Sequence, residues 1–398
     1  MNLNKKIKIV TLFYCIFSWS LQAAALLRAG DRAVCSVPVA SIWSEAYPPE
    51  LGEYQADPAK ILPPLPLLGS VHVPHHSTQL LYGERVEIID ESRADGWVKV
   101  QSFEQTGFNQ ALNTSQYVDG WVRRDLLQLA EVFVQPNLVV THQWATVYAQ
   151  PDDASPVIMH VPFAALLCGT RHKESAWYRI ALYNGQIGFI ATTELSEIPS
   201  VVSDADIPAI RSALVMYAQV FVHAKSPYLW GGRSSYNINN FKDVTKVVGT
   251  AASVDCSGLV NLIYRACGLS VPRNSYAQYL KATPIKPAAM QPGDLVFLEI
   301  ANAAGIWRIR HVLIYTGTDE QDNVVLIEST GGDAVKEKCT RITTTQANYG
   351  IKNLKQVVNG QMISRYENGT LVGNAKIYCG TFLDREHMYE QRNELLVV

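Results

Sequence analysis

The sequence predicts two small all-β units followed by an α+β domain. Short alternating segments separated by turns fill the first half of the chain, and one pattern of aromatic, glycine and aliphatic residues occurs twice there. Apolar residues at helical spacing begin only after about residue 205. Beyond that point an amphipathic helix precedes several apolar strands, which is typical of an α+β arrangement.

Length and composition indicate a globular chain with more than one core. The chain has 398 residues, of which 48% are hydrophobic and 18% are charged, so its length favours two to three domains. The formal net charge is −2, and no run of Lys and Arg occurs outside the N-terminus. Because a surface that binds a polyanion needs clustered positive charge, we expect no nucleic-acid partner.

The first 25 residues have the pattern of an export signal. Lys5, Lys6 and Lys8 precede an apolar run at residues 9–19, and small residues follow at 23–25. The apolar run is too short to cross a bilayer as a helix. We therefore predict a signal peptide at residues 1–25 and an exported protein, periplasmic or associated with the cell wall, without stable membrane insertion.

The two β units are predicted at residues 30–130 and 131–200. In the first unit, segments 33–39 and 80–89 read as extended, and the proline-rich stretch at 48–66 between them reads as a long loop. The repeated pattern gives the second unit the same plan as the first. Its spacing resembles that of bacterial SH3-like barrels, which commonly accompany cell-wall enzymes, although other small barrels also carry such Trp and Gly residues.

The α+β domain is predicted at residues 205–390. A helical pattern at 210–221 ends before Pro227, and strands are predicted at 295–300, 311–316 and 324–329. An irregular insert at 233–254 precedes the second helix. We interpret this insert as a surface loop, with a lid or a partner site as the alternatives.

Cys256 is the candidate nucleophile. Asp255 is a good N-cap, which places Cys256 in the first turn of a helix whose apolar face continues to Ala266. Unpaired backbone N–H groups and the helix dipole favour an anion at that position, and hence a thiolate. The alternative is that Cys256 is one of the many buried cysteines that only fill an apolar core.

A nucleophilic cysteine needs a base, and the base needs an orienting polar group. His311 begins one apolar strand and Glu328 ends the next, so the two side chains would meet if these strands form a hairpin. Each residue also has a structural reading, as a partly buried histidine and as a solvated carboxylate.

The cysteines give no sign of a metal site. Six remain after removal of the signal, and none has the spacing of zinc ligands, so we expect no metal and no cofactor. A disulfide between Cys339 and Cys379 is an open possibility in an exported protein.

Five blocks of the third domain follow one another in the order of the NlpC/p60 cysteine peptidases, which have a papain-like α+β fold. The blocks are YLWGG at 228–232, DCSG at 255–258, PRNS at 272–275, PGDL at 292–295 and HVLIY at 311–315. The resemblance covers residues 210–382. With two SH3-like units ahead of it, the mature chain resembles the γ-D-glutamyl-L-diamino acid endopeptidases, which cut murein stem peptides.

The resemblance implies roles for individual residues. It makes Cys256 the nucleophile and His311 the general base, and it places Tyr228 near the oxyanion. The family usually has histidine at the third catalytic position, where this chain has Glu328; a carboxylate can orient a neutral imidazole and stabilise the imidazolium, as acids do in other triads. The residues implied to bind substrate are Glu84, Tyr117, Trp230, Asp255, Ser257, Arg273, Asn274 and Ser275.

The resemblance also implies a specificity. Glu84 and Tyr117 of the first β unit would close the pocket, where a carboxylate selects a free ammonium such as the N-terminal L-Ala of a stem peptide. The implied substrate is a peptide already released from glycan. Asn274 stands where the family's endopeptidases often have aspartate, which removes one charge from the amine site.

The function predicted from the sequence is hydrolysis of the bond between γ-D-Glu and the diamino acid of peptidoglycan stem peptides. Two alternatives remain at this point: a catalytically weakened peptidoglycan-binding protein, and a cross-link endopeptidase that acts on intact sacculi. The sequence leaves open the oligomeric state and the choice between diaminopimelate and lysine at the third stem position.

Overall fold

The computed structural model describes residues 27–46, 75–93, 96–109, 113–130, 134–172, 176–199, 203–235, 253–332, 335 and 337–384. The predicted signal peptide, the proline-rich loop at 48–66 and all of the 233–254 insert except its two ends therefore lie outside the described residues.

The first β unit consists of seven strands in one sheet with the order β3-β2-β6-β5-β4-β1-β7. Its strands are β1 (Arg32–Cys35), β2 (Val39–Trp43), β3 (His76–Leu81), β4 (Arg85–Asp90), β5 (Trp97–Asn109), β6 (Thr114–Arg123) and β7 (Leu127–Leu129). Alternate residues such as Val86, Ile88, Val98 and Val100 are fully buried in one core, as the two-residue period of a strand requires.

Two segments predicted to be single strands are in fact pairs of strands. The segment at 33–39 breaks into β1 and β2 around Pro38, which has no N–H to donate to a ladder. The segment at 80–89 breaks into β3 and β4 at Gly83, whose φ of 80° lies in the left-handed region that glycine adopts without strain. In both segments the extended pattern was visible in the sequence, but the break between the two strands was not predicted.

The second β unit contains a five-stranded sheet, β10-β9-β14-β13-β12, and a three-stranded sheet, β11-β8-β15. The strands are β8 (Leu138–Val140), β9 (Trp144–Tyr148), β10 (Val157–Pro162), β11 (Leu166–Leu167), β12 (Gly169–Arg171), β13 (Trp177–Ala181), β14 (Ile187–Ala191) and β15 (Leu195–Glu197). Tyr82 of the first β unit packs into this core and accepts a hydrogen bond from the backbone N–H of Tyr183. The prediction that both units are all-β is confirmed.

In its described residues, the third part of the chain combines four α-helices with a two-stranded and a seven-stranded antiparallel sheet, which confirms the α+β prediction. The helices are α1 (Ile207–His223), α2 (Cys256–Ala266), α3 (Ser275–Lys281) and α4 (Thr345–Tyr349). The strands are β16 (Arg233–Ser234), β17 (Ser253–Val254), β18 (Thr283–Pro284), β19 (Leu295–Ala301), β20 (Trp307–Thr318), β21 (Val324–Ser329), β22 (Thr340–Thr344), β23 (Gln361–Glu367) and β24 (Thr370–Thr381).

The central sheet of this part has the order β18-β24-β19-β20-β21-β22, and β23 pairs with β24. Helix α2 is buried along its whole length, and its Leu259 and Ile263 share one core with Phe297 and Val312 of the sheet. A second core, which includes Tyr349 of α4, contains the alternate residues of these strands, whose side chains point to the other face of the sheet. The sheet is therefore covered on both faces, and α2 is held against it.

The segment Asp204–His223 is long and apolar enough to satisfy the length and composition of a membrane span. In the structure Leu214, Tyr217, Ala218 and Phe221 of α1 pack into the same core as α2.

The six described cysteines are all free thiols, so the possible bridge between Cys339 and Cys379 is not formed.

A cluster of buried ion pairs joins the first β unit to the helix that carries Cys256. Glu84 Oε1 lies 2.6 Å from Arg233 Nη1, and Glu104 Oε2 lies 2.6 Å from Arg265 Nη2 on α2. Arg85 Nε adds a contact of 2.8 Å to Glu104 Oε1. Burial alone would raise the pKa of Glu104, but Arg265 and Arg85 outweigh it and lower this pKa to about 2. Glu104 is thus held as a buried anion, and Glu84 is buried in contact with the Arg233 guanidinium.

The buried position of Glu84 predicts a large stability effect. Glu84→Gln leaves Arg233 buried beside a neutral partner, which should lower the free energy of unfolding by about 3–5 kcal/mol. The matched control is Asp119→Asn, because the pair that Asp119 forms with Lys99 is about one third exposed and should contribute less than about 1 kcal/mol. Urea denaturation measures both, and equal stability of Glu84→Gln and the parent protein would refute the assignment.

Candidate active site

Cys256 is the first residue of α2, as predicted from the sequence. Asp255 is the N-cap with extended backbone angles, φ −86° and ψ 176°, and its Oδ1 accepts a hydrogen bond of 2.6 Å from the backbone N–H of Gly258. The Cys256 side chain is largely buried, with 7% of the residue exposed. The thiol therefore sits where backbone N–H groups at the helix start favour negative charge.

Arg273 holds the capping carboxylate. Its Nη1 donates to Asp255 Oδ1 at 3.0 Å and its Nη2 donates to Asp255 Oδ2 at 2.9 Å, which is a bidentate pair. Ser257 Oγ also donates to Asp255 Oδ1, at 3.1 Å. The structure thus brings together three residues that the resemblance assigned to substrate binding, and it shows them bonded to one another.

The glycine turn ahead of the catalytic helix packs directly on the helix start. Gly231 has φ 80° and donates its N–H to Asp255 Oδ2 at 2.9 Å. A Cβ on Gly258 would lie 2.2 Å from the carbonyl oxygen of Gly232, so no side chain fits between turn and helix. This close approach fixes Tyr228 and Trp230 relative to Cys256.

His311 and Glu328 meet because β20 and β21 pair as a hairpin. Ile314 is opposite Ile327 in this pair, and His311 Nε2 lies 2.7 Å from Glu328 Oε2. A β-bulge in the pairing of β19 with β20 falls immediately before His311, a device that re-aims side chains beside functional sites.

The imidazole of His311 interacts with both Cys256 and Glu328. Burial alone would lower the pKa of His311, but hydrogen bonding and charge interactions with Cys256 and with Glu328 outweigh it and raise the pKa to about 10. The imidazole is therefore protonated at neutral pH when the thiol beside it is ionised. Such a thiolate–imidazolium pair is the reactive form of many cysteine nucleophiles.

Arg341, which the sequence analysis missed, holds Glu328. Arg341 lies opposite Glu328 on β22, and its Nε and Nη2 donate to Glu328 Oε1 at 3.0 and 2.8 Å. Arg341 in turn donates to both oxygens of Glu367, at 2.8 and 3.0 Å. Burial alone would raise the pKa of Glu328, but His311 and Arg341 lower it below its ordinary value. Only the register of β21 with β22 could have revealed this pairing.

The hydroxyl of Tyr228 lies close enough to Cys256 and Asp255 for their charges to affect its pKa. Burial, followed by the charges of Cys256 and Asp255, raises the pKa of Tyr228 far above its ordinary value, so the hydroxyl keeps its proton. A Cβ on Gly331 would lie 2.1 Å from the Tyr228 ring, so this glycine lets the ring pack against the backbone. Tyr228 is thus available as a neutral hydrogen-bond donor.

The structure corrects the expectation for Glu84. This residue is fully buried, and its carboxylate faces Arg233 and Arg265 rather than a pocket. It has no surface on which to receive a substrate amine, because the two guanidinium groups neutralise it inside the protein. The motif match located a carboxylate, but it did not show which way the side chain points.

The remaining predicted substrate residues differ in exposure. Tyr117 is 39% exposed and its ring packs edge-on against Phe103, whereas Trp230 is 52% exposed. Asn274 caps α3, since its Oδ1 accepts a hydrogen bond of 2.8 Å from the N–H of Ala277. Ser275 is the first residue of α3 and is half-buried.

The charge state of His311 gives a prediction on pH. Because its pKa is raised from 6.5 to about 10, its stabilising contribution is complete below pH 6.5 and is lost as the pH rises through 10. Histidine-selective NMR should show the His311 titration midpoint near pH 10, and Glu328→Gln should move it towards the ordinary value of about 6.5. A midpoint near 6.5 in the parent protein would contradict the described interactions.

Comparisons with known proteins show what the chain is similar to. A family model described as the NlpC/P60 family matches residues 225–372. A γ-D-glutamyl-L-lysine dipeptidyl-peptidase from Bacillus cereus is 26% identical over 244 residues, which are 60% of this chain and 64% of the relative. A probable endopeptidase p60 from Listeria grayi is 32% identical over 146 residues, which are 36% of this chain and 23% of the relative. The chain therefore matches less than two thirds of the length of each.

Among solved structures, the crystal structure of an NlpC/P60 family protein from Bacillus cereus is similar to this chain. It covers 79% of this chain and 94% of its own, with a TM-score of 0.57 and 22% sequence identity. A similarity at this level shows a shared fold, and it includes the β-rich first half as well as the α+β part.

Proposed function

We propose that this chain, whose residues 225–372 form a domain of the NlpC/P60 family, is a cysteine peptidase that hydrolyses peptidoglycan stem peptides. One observation carries the proposal: a thiol at a helix N-terminus interacts with a histidine that pairs with a buried carboxylate. His311 interacts with Cys256, and its Nε2 lies 2.7 Å from Glu328. Nucleophile, base and orienting group therefore occur in one chain of contacts.

The proposed reaction has two steps. Cys256 Sγ attacks the carbonyl carbon that follows D-isoglutamate, and the oxyanion accepts hydrogen bonds from the Tyr228 hydroxyl and the Cys256 N–H. His311 donates its proton to the leaving amine as the C–N bond breaks, which yields an acyl-enzyme. A water then gives its proton to His311 and attacks the acyl carbon, which releases the product and restores the thiolate.

The proposed bond is the one between γ-D-Glu and the diamino acid. The Bacillus cereus relative, 26% identical, is named for a γ-D-glutamyl-L-lysine bond, and this supports the choice. The resemblance places the free amine of an N-terminal L-Ala at Asp255, whose side chain is 10% exposed and already forms a bidentate pair with Arg273. The proposed place of action is the periplasm or the cell wall, after removal of a signal at residues 1–25.

A second candidate is cleavage of cross-linked stem peptides in intact sacculi. The burial of Glu84 favours it, because this carboxylate is unavailable to select a free amine. Incubation with purified sacculi separates the two candidates: release of muropeptides supports the second, whereas activity on free tripeptides alone supports the first.

Hydrolysis of a synthetic tripeptide tests the proposed function. The parent protein should convert L-Ala-γ-D-Glu-diaminopimelate into L-Ala-D-Glu, followed by mass spectrometry. Cys256→Ala should reduce the rate at least roughly 1,000-fold, because the nucleophile is lost. Cys168→Ala, which removes a partly buried thiol of the second β unit, should keep full activity. Equal product formation by Cys256→Ala and the parent protein would sink the proposal.

Arg341 should act as a positioning residue through Glu328. Arg341→Met removes both hydrogen bonds to Glu328 Oε1, so kcat/KM should fall roughly 10- to 100-fold. Arg341→Lys should recover part of this loss, because it keeps the charge without the planar fork. The pH profile of Cys256 alkylation supplies a second readout, and it should shift in Arg341→Met. An unchanged profile together with unchanged kcat/KM would show that Arg341 has no such role.

A further inference from the structure

Strand β3 of the first β unit contacts the segments that lead into the helix of Cys256. His76 Nδ1 lies 2.9 Å from the carbonyl oxygen of Trp230 in the glycine turn, and Gln79 Oε1 accepts a hydrogen bond of 2.7 Å from the backbone N–H of Arg233. Thr78 lies between these two β3 residues and is completely buried. A buried hydroxyl is costly unless it is hydrogen-bonded, so the partners of Thr78 indicate its role.

The two hydrogen bonds of the Thr78 hydroxyl have fixed directions. Arg273 Nε can only donate, so Thr78 Oγ1 accepts this bond of 2.7 Å and gives its own proton to Gln105 Oε1 at 2.8 Å. The Gln105 amide is fixed in turn, because its Nε2 donates to the Gln79 carbonyl at 2.9 Å and to Glu84 Oε2 at 3.0 Å. All these side chains are buried, so losing one partner leaves the other unsatisfied inside the protein.

An irregularity in strand pairing supplies Gln105. In the pairing of β5 with β6, Gln101 is opposite Asp119 and Thr106 is opposite Tyr117, so four residues of β5 lie against one of β6. Bulges of this kind re-aim side chains, and here Gln105 is fully buried beside Thr78. The first β unit therefore carries a local deformation whose side chain holds the Thr78 hydroxyl in one orientation.

Arg273 connects this hydroxyl to the start of the catalytic helix. Its Nη1 and Nη2 donate to the two oxygens of Asp255, while its Nε donates to Thr78. Because a guanidinium is planar, the bond at Nε restricts the plane in which the other two nitrogens meet the carboxylate. Asp255 directly precedes Cys256, so a carboxylate that lost Arg273 would place an uncompensated negative charge beside the thiol and oppose a thiolate there.

We propose that Thr78 is a positioning residue for Cys256: its hydroxyl orients Arg273, and Arg273 orients and neutralises the carboxylate that caps the catalytic helix. The inference rests on the proposed function for the role of Cys256 as nucleophile, but it concerns the reactivity of the thiol and not the bond that is cleaved. The first β unit thus contributes to the nucleophile through two intervening side chains.

Alkylation of Cys256 by iodoacetamide, followed by mass spectrometry of the peptide that contains it, tests this inference. Thr78→Val keeps the shape of the side chain without the hydroxyl, so the rate at neutral pH should fall roughly 10-fold, and the pH midpoint of the reaction should rise. Thr78→Ser keeps the hydroxyl and should restore most of the rate. The matched control is Thr146→Val, which removes a buried hydroxyl that bonds His160 in the second β unit and should leave the rate unchanged.

A double-mutant cycle tests whether Thr78 acts through Arg273. Arg273→Lys keeps a positive charge for Asp255 but lacks the Nε donor that bonds Thr78. In that background Thr78→Val should therefore slow alkylation little further. If the two losses are instead additive, Thr78 does not act through Arg273 and the inference is overturned.

Urea denaturation of the same variants separates positioning from a general loss of stability. A merely structural hydroxyl would lower the free energy of unfolding and leave the Cys256 alkylation of the folded protein at the parent rate, which rejects the inference. If Thr78→Val does not fold, Gln105→Met supplies the same readout, because it removes the acceptor that holds the Thr78 hydroxyl. Slower alkylation of Cys256 in that variant supports the inference, and the parent rate rejects it.

The outcomes also distinguish this inference from the proposed function, because alkylation requires no peptide hydrolysis. Slower alkylation in Thr78→Val, together with no tripeptide hydrolysis by the parent protein, supports the positioning role while the proposed function fails. Unchanged alkylation, together with hydrolysis by the parent protein, rejects the positioning role and leaves the proposed function in place.

Discussion

The bidentate pair between Asp255 and Arg273 connects the start of α2, the glycine turn and the first β unit. The carboxylate caps α2 through Gly258 and holds the glycine turn through Gly231, so it positions the thiol and the turn together. The same arginine donates from Nε to Thr78 at 2.7 Å, and its backbone N–H donates to the Thr106 carbonyl at 2.7 Å. Both threonines belong to the first β unit, so one buried guanidinium joins that unit to the catalytic helix.

In two other clusters, buried charged side chains also contact side chains of the opposite sign. Glu84 and Glu104 face Arg233 and Arg265 at the interface of the first β unit with α2. A second row runs from His311 through Glu328 and Arg341 to Glu367. An unpaired charge is costly in such surroundings, whereas a paired one fixes geometry. Arg341 lowers the pKa of Glu328 by contacting one of its oxygens, and it leaves the other oxygen for His311.

Much of the site could be predicted from the sequence because its signals are local. The cap at Asp255 and the helix after Cys256 depend on residues within a few positions, and both occur as predicted. The strand predicted to begin at His311 begins at Trp307, so His311 lies inside it. The hairpin that would bring Glu328 to His311 was predicted from two adjacent apolar segments, and it forms. The first half was predicted as all-β from its two-residue alternation, although turns such as that at Gly83 were missed.

Side-chain direction and strand register could not be derived in this way, because they depend on contacts between residues far apart in the chain. A motif match assigned Glu84 to the substrate, yet Arg233, some 150 positions later, turns its carboxylate into the interior. Arg341 contacts Glu328 only because the register of β21 with β22 places the two residues opposite each other. Local signals thus located the candidate nucleophile and its candidate base, whereas packing between distant segments selected the groups that surround them.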